Sequence, residues 1–366
     1  MRALLFSSRL TVLLLALTFL MVASPSSAFP AQEGVYLVFD NFFPPESLTL
    51  CGEPMPLENG RVWEMLDREF TITVWDRAQV FMWLKRSGRY FPYVERRLAE
   101  EGMPDDLKYL AVAESSLLTH ARSSDGARGP WQLMTRTARS NGIRKDHTMD
   151  ERLDFEQATE VAVKYLKRLK DKFGAWTLAL AAYNCGEGAL KREMKKQGVT
   201  DYYRLNLPLE TERFIFRIAA IKIVMDNPMR YGYSLPKEEI YRPIECDTVS
   251  VNIRVPLHVT DVAQALGTDF KVLRELNHQI RGYYLPTGSY TIKVPSGQGS
   301  KMADVLNDLT KVASRRMQDD SYYVVRRGDT LNHIASRKKV TVAKLKKLNS
   351  IQGSLIMVGQ RLRLRP

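Results

Sequence analysis

Apolar residues recur three and four positions apart from about Gly60 to Pro228, the spacing of a chain of helices. Val62, Met65, Leu66 and Phe70 begin the pattern, and Val80, Met82 and Trp83 continue it. A helix starting near Pro104, with Asp105 and Asp106 suited to its first turn, carries the stripe Leu107, Leu110, Ala111, Leu117 and Leu118. Ala158, Ala162, Tyr165, Leu166, Leu169 and Phe173 mark another helix, and Trp176, Leu180 and Tyr183 the next. Phe214, Ile218, Ile221 and Met225 form a further one, which Asn227-Pro228 ends. The Ser-, Asp- and Gly-rich stretch from Ser123 to Pro130 reads as a turn.

After Tyr241 the texture changes. Ile253-Arg254-Val255 alternates, Val262 to Leu276 is helical, and Tyr290-Thr291-Ile292-Lys293-Val294 alternates again. A polar segment from about Gly297 to Asp320 reads as a linker. The tail then repeats the plan: a strand with Tyr323 and Val325, a turn and cap at Gly328-Asp329-Thr330, and a helix with Leu331, Ile334 and Ala335. Thr341 caps a second helix through Leu345 and Leu348, and Leu362 and Leu364 alternate with Arg361 and Arg363 in a closing strand. The two units align at a constant offset of 72 residues: Val262-Ala263 on Ile334-Ala335, Leu273 on Leu345, Leu276-Asn277 on Leu348-Asn349. The first copy is degenerate, with Pro256-Leu257 opposite Gly328-Asp329. The expected fold is therefore α+β and multidomain, a mainly helical domain followed by small βααβ modules.

At 366 residues the chain has room for two or three domains. Its first residues read as a secretory signal: Arg2 and Arg9, the apolar run Leu10 to Ala23, and small residues up to a cleavage point near Ala28. The run is short for a spanning helix, so cleavage is expected over an uncleaved anchor, with no stable membrane insertion afterwards. No Cys follows at a lipoprotein-like position. Cys51, Cys185 and Cys246 are widely spaced and fit no metal pattern, and an odd count forbids a complete disulfide framework. No metal or other cofactor is expected. From Ser321 to Pro366, eleven Lys and Arg face the single acid Asp329, so this stretch carries +10 of the net +13. Such a module suits an anionic partner, and the export signal points to a wall polymer instead of nucleic acid. Oligomeric state is not readable.

Glu114 is the acid of greatest interest. It lies seven residues after Leu107, on the buried stripe of its helix. Desolvation there favours the protonated form, the state a glycosidic general acid needs at neutral pH. A Glu tied to an Arg or a helix end for structural reasons fits the same position, so spacing alone leaves both readings open.

The surrounding blocks narrow the choice. Glu114-Ser115, Ser123 with Gly126-Ala127, Gly129-Pro130-Trp131-Gln132 and Ala182-Tyr183-Asn184-x-Gly186 stand in order, supported by Asp150-Glu151-Arg152, Tyr165-Leu166 and Leu207-Pro208-Leu209-Glu210-Thr211. Over about Gly88 to Arg230 this set resembles the soluble-lytic-transglycosylase domains, and the tail resembles LysM modules. Pro130, where the family often has Leu, and the large cation Arg128 depart from its pattern without removing the acid or Gln132. The resemblance implies a lysozyme-like helical catalytic domain whose substrate is peptidoglycan, cut between N-acetylmuramic acid and N-acetylglucosamine to leave a 1,6-anhydro-muramyl end. It implies Glu114 as the catalytic residue and Ser115, Ser123, Gly126, Gln132, Tyr183, Asn184 and Glu210 as substrate-binding or bracing residues. Within these, Trp131 reads as core, Asp125 as a turn residue, and Glu210 as a second buried acid near the cleft that braces the site. Gly328, Asp329, Thr330 and Asn349 are the glycan-binding positions implied for the LysM tail.

The expected organisation is a signal at 1–28, an N-terminal helical region at 29–87 packing on a catalytic domain at 88–235, a degenerate LysM-like module at 244–297, a linker at 298–320 and a LysM module at 321–366. The degenerate module reads as a weak glycan binder or a spacer, with the spacer favoured. The expected partner is the glycan strand. Two rival functions remain: a lysozyme-type hydrolase using water and a second acid such as Asp125 or Glu210, and a non-catalytic wall-binding scaffold.

Overall fold

A computed structural model describes residues 42–318 and 322–364. The expected signal, the run 29–41, the end of the expected linker, Ser321, Arg365 and Pro366 lie outside the described residues. A short hairpin, β1 (Thr49–Leu50) and β2 (Glu53–Pro54), leads into α1 (Gly60–Trp75), which Asn59 caps by accepting from the Arg61 N–H. Asp76 caps α2 (Arg77–Glu100) in the same way through Gln79. A 3₁₀ turn, Asp105–Leu107, precedes α3 (Lys108–Ser115), so Pro104 and the two Asp occupy a tighter turn ahead of the helix instead of its first α turn. Next come α4 (Thr135–Ser140), α5 (Phe155–Phe173), α6 (Trp176–Cys185), α7 (Glu187–Gln197) and α8 (Leu209–Asp226).

The core forms around α8, which packs on α1, α3 and α6. Its Phe214, Ile215, Phe216, Ile218, Ala219, Ala220, Ile221, Ile223 and Val224 are all buried, the mark of a central helix apolar around its whole circumference. One continuous apolar cluster runs from Leu50 to Tyr233. The border drawn between residues 87 and 88 falls inside α2, whose Val80, Trp83, Phe91, Val94 and Leu98 join that single core.

The next unit pairs β3 (Cys246–Ile253) antiparallel with β6 (Gly288–Pro295) along their full length, and β4 (Leu257–His258) with β5 (Tyr284–Leu285). Between the pairs lie α9 (Val259–Ala265) and α10 (Phe270–Leu276), two helices in place of one expected run, parted at Gly267, whose φ of +72° ends the first. The stretch expected to be a polar linker is instead α11 (Met302–Gln318). Met302, Val305, Leu306, Leu309 and Ala313 line one helical face and pack against this unit's core, a stripe that the intervening polar residues masked. The tail pairs β7 (Tyr322–Val324) with β8 (Arg361–Arg363) and places α12 (Leu331–Arg337) and α13 (Val342–Leu348) between them. Thr330 and Thr341 cap these helices by accepting from the N–H groups of His333 and Lys344, as expected.

The repeat is visible in hydrogen bonds as well as in spacing. Asn277 donates to the Leu273 and Lys293 carbonyls and accepts from the Lys293 N–H. Asn349 does the same with Leu345 and Arg363. In both units one amide thus ties the second helix to the closing strand.

Candidate active site

Glu114 sits on the last turn of α3, and the chain then bends sharply. Ser116 and Leu117 both adopt left-handed backbone, with φ of +55° and +61°. Two consecutive non-glycine residues there cost roughly 1–3 kcal/mol each, and neighbouring groups hold the bend in place. From α2, Gln79 donates to the Ser116 hydroxyl at 3.0 Å and Arg86 to the Ser116 carbonyl at 3.0 Å. Glu114 is thereby presented at the end of a rigid element instead of on a mobile loop.

The second wall is the loop Ser123–Leu133. Ser123 closes it by accepting from the Ala127 N–H at 3.0 Å. Gly129 has a φ of +82°, and a Cβ on it would lie 1.8 Å from the Arg152 carbonyl oxygen, so close backbone approach as well as conformation requires glycine. Gly126, with a φ of +89°, faces open space. Gln132, itself left-handed at +44°, donates its amide to the Gly129 carbonyl at 2.8 Å.

Three side-chain hydrogen bonds join this loop to the helices. Ser115, buried, donates to the Pro130 carbonyl at 2.7 Å. Tyr183, on α6, donates to the Trp131 carbonyl at 2.6 Å. Trp131 is core, as expected: fully buried, with its indole N–H donating to Thr159 at 2.9 Å. Asn184, beside Tyr183, accepts from Thr211 of α8 at 2.9 Å, bringing the third sequence block to the same place.

Burial pushes the Glu114 carboxyl up to about 8. The Arg217 guanidinium pulls the other way, and the nearby charge of Glu210 adds to the rise. Burial, with the Glu114 charge as a second cause, holds the Tyr183 phenol well above its ordinary range. The acid at this site therefore carries a proton at neutral pH, and its neighbour Tyr183 stays neutral.

Glu210 differs from its expected place. It is exposed, at the first turn of α8, and influences Glu114 through space. The buried acid of that segment is Glu212, which accepts from the Leu207 N–H at 3.0 Å and pairs with Arg61. Both acids lie in the first turn of α8, about 200° apart around its axis, so only one of them can turn inward, and it is Glu212. Asp125 lies exposed in the turn.

The sequence reading assigned no role to Arg217 or Arg152. Arg217 lies seven residues after Glu210, two turns along one face of α8, and is held by the buried Glu69 at 3.6 Å. That spacing was the available signal. Arg152 is 1 % exposed and makes a two-pronged pair with the fully buried Asp150, both contacts at 2.8 Å. Its remaining nitrogen donates to the carbonyls of Gly126 at 3.0 Å and Leu133 at 2.9 Å, clamping both ends of the loop.

In the tail, Gly328 is exposed with a φ of +86°, and Thr330 caps α12. Asp329 accepts from the Arg326 N–H, the Tyr323 hydroxyl and Arg337, and Asn349 makes the brace described above. The side chains expected to meet glycan there are engaged within the module. Cys51, Cys185 and Cys246 are unpaired. Among the described residues no group of acids, His or Cys could hold a metal ion, and no helix is long and apolar enough to cross a membrane.

Residues 93–206 match the transglycosylase SLT domain, residues 245–311 the LysM-like domain of lytic transglycosylase MltD, and residues 323–365 the LysM domain. Membrane-bound lytic murein transglycosylase D of Escherichia coli K12 is 30 % identical over 290 residues, covering 76 % of this chain and 63 % of that protein. Membrane-bound lytic murein transglycosylase F 2 of Alkalilimnicola ehrlichii is 39 % identical over 164 residues, 43 % of this chain and 34 % of that one. The chain thus spans less than two thirds of the length of the curated relatives it matches. Among solved structures, an inactive mutant of lytic transglycosylase Slt from Pseudomonas aeruginosa aligns at 20 % identity and a TM-score of 0.31, over 42 % of this chain and 26 % of that one. The chain therefore carries an SLT transglycosylase domain followed by an MltD-type LysM-like domain and a LysM domain.

Proposed function

We propose that the protein is a peptidoglycan lytic transglycosylase that cuts between N-acetylmuramic acid and N-acetylglucosamine and leaves 1,6-anhydro-muramyl ends. The observation that carries this reading is the position of Glu114 at the end of α3 beside the Ser123–Leu133 loop, where burial pushes its carboxyl up to about 8 while the other described acids near that loop are committed or exposed. Asp150 is bound to Arg152 and Glu212 to Arg61, while Asp125 and Glu210 face solvent. An ordinary glycosidase needs two carboxyls, one as acid and one as nucleophile or water-activating base. One suffices if the sugar supplies its own nucleophile. Glu114 gives its proton to the leaving glycosidic oxygen as the bond to C1 breaks. The C6 hydroxyl oxygen bonds to C1, and the Glu114 carboxylate takes the hydroxyl proton, which restores the acid. Intramolecular attack gains rate through proximity.

Ser115, Ser123, Gly126, Gln132, Tyr183, Asn184 and Glu210 are the residues assigned to shaping or contacting the bound strand. Digested sacculi analysed by mass spectrometry test the reaction: anhydro ends are expected. Reducing muramic acid ends would instead make the enzyme a lysozyme-type hydrolase.

Within this reading, the single core from Leu50 to Tyr233 is the catalytic unit, the degenerate module includes α11, and 321–366 is the LysM module. Gly328, Asp329, Thr330 and Asn349 shape the glycan-binding end of the LysM module. The place of action is the cell envelope, reached through the leader expected at 1–28. The LysM tail holds the enzyme on its polymer and raises effective concentration, helped by its charge. Deleting residues 321–366 is expected to weaken pelleting with sacculi, and more at low salt than at high salt, because screening shortens charge attraction. Equal loss at every salt would assign the tethering to neutral contacts alone.

A further inference from the structure

The LysM-like module is joined to the catalytic domain through the segment that leads into Asp150. Thr148, Met149 and Asp150 run antiparallel beside Gln279, Ile280 and Arg281, in the loop between α10 and β5. The Asp150 N–H donates to the Gln279 carbonyl at 2.8 Å, and the Arg281 N–H to the Thr148 carbonyl at 2.8 Å. Met149 belongs to the catalytic domain by sequence, yet its side chain is 1 % exposed inside the module's core with Val251, Leu257 and Leu285. A second strut lies nearby, where Lys293 of β6 pairs with Asp154 at 3.4 Å and with Glu156.

The same Asp150 leads to the active site. Its backbone N–H is held by the module and its carboxylate holds Arg152. Arg152 grips the carbonyls of Gly126 and Leu133, and the loop between them receives Ser115, next to Glu114, and Tyr183. Hydrogen bonds and the loop backbone thus connect the module to Ser115, the residue beside the acid.

We infer that the LysM-like module positions the active-site loop, with Met149 as its anchoring residue, and so serves catalysis as well as spacing. The inference rests on the proposed transglycosylase reaction for its kinetic readout but not for its structural one. In the full chain, Met149→Ala removes the anchor without touching the acid. On soluble glycan fragments too short to reach the LysM tail, kcat is expected to fall about 10-fold or more, as small misplacements of catalytic surroundings do. KM should stay within about twofold and sacculus pelleting unchanged, and the volume-conserving Met149→Leu should restore the rate.

Hydrogen exchange in the same variant should speed at the Arg128 and Leu133 amides, while α5 and α8 stay protected. Lys293→Met, which cuts the other strut and keeps an apolar stem, should move both readouts in the same direction and covers a Met149→Ala chain that fails to fold. Unchanged kcat and unchanged loop exchange in the folded variants would overturn the inference. A wild-type chain that releases no anhydro ends would overturn the proposed reaction instead, and loop exchange would then decide the positioning role alone.

Discussion

Glu114→Gln is expected to lower glycan cleavage by about 10³- to 10⁴-fold, near the upper end for a lost general acid–base, while leaving sacculus pelleting intact. Retained cleavage would remove Glu114 from the mechanism. The wild-type rate should hold through neutral pH and fall as pH rises through about 8, where the carboxyl loses the proton it must donate. The same substitution has a stability signature of known sign. The unfolded carboxyl titrates near 4.5 and the folded one near 8, so between these values only the folded state keeps the proton. Wild-type stability therefore falls as pH rises across that window, whereas the Gln variant has no proton to lose. Its unfolding free energy should match wild type at about pH 4 and exceed it at about pH 8, by a difference on the order of a few kcal/mol, with Tm moving in the same direction. Equal differences at both pH values would mean that burial does not hold Glu114 neutral.

Arg152→Met should be among the most destabilising single changes, about 3–5 kcal/mol, because it leaves the fully buried Asp150 carboxylate without its two-pronged partner. Arg128, 3.8 Å from Asp150, is too distant to replace two contacts at 2.8 Å. Denaturant unfolding measures the loss, and a change under about 1 kcal/mol would mean that Asp150 finds another partner or a proton. Since Arg152 also holds the Gly126 and Leu133 carbonyls, cleavage should fall further than stability alone explains.

The periodicity of apolar residues was sufficient to place α1, α2, α3, α5, α6 and α8, though not the short α4 or the polar α7, along with the repeat at a 72-residue offset and the Thr330 and Thr341 caps. These are local properties: a stripe, a cap or a repeat is written in neighbouring positions. Glu114 could be singled out for the same reason, since seven residues from Leu107 is a statement about one helix face. Several local readings still failed. The polar residues of α11 hid its apolar stripe, α3 ends at Ser115 before Leu117 and Leu118, Gly267 parts one expected helix into two, and Glu212 is buried where Glu210 was expected.

Only the tertiary structure decided how these pieces meet. That Asp150 pairs with Arg152, that Arg152 reaches back to Gly126 and Leu133, and that Met149 enters the core of the following module depend on contacts between segments with no periodic relation. The proton on Glu114 was foreseeable in direction from a buried stripe. Its hold at about 8 depends on burial within the packed helices and on the opposing charges of Arg217 and Glu210, which approach only when α3 and α8 pack together.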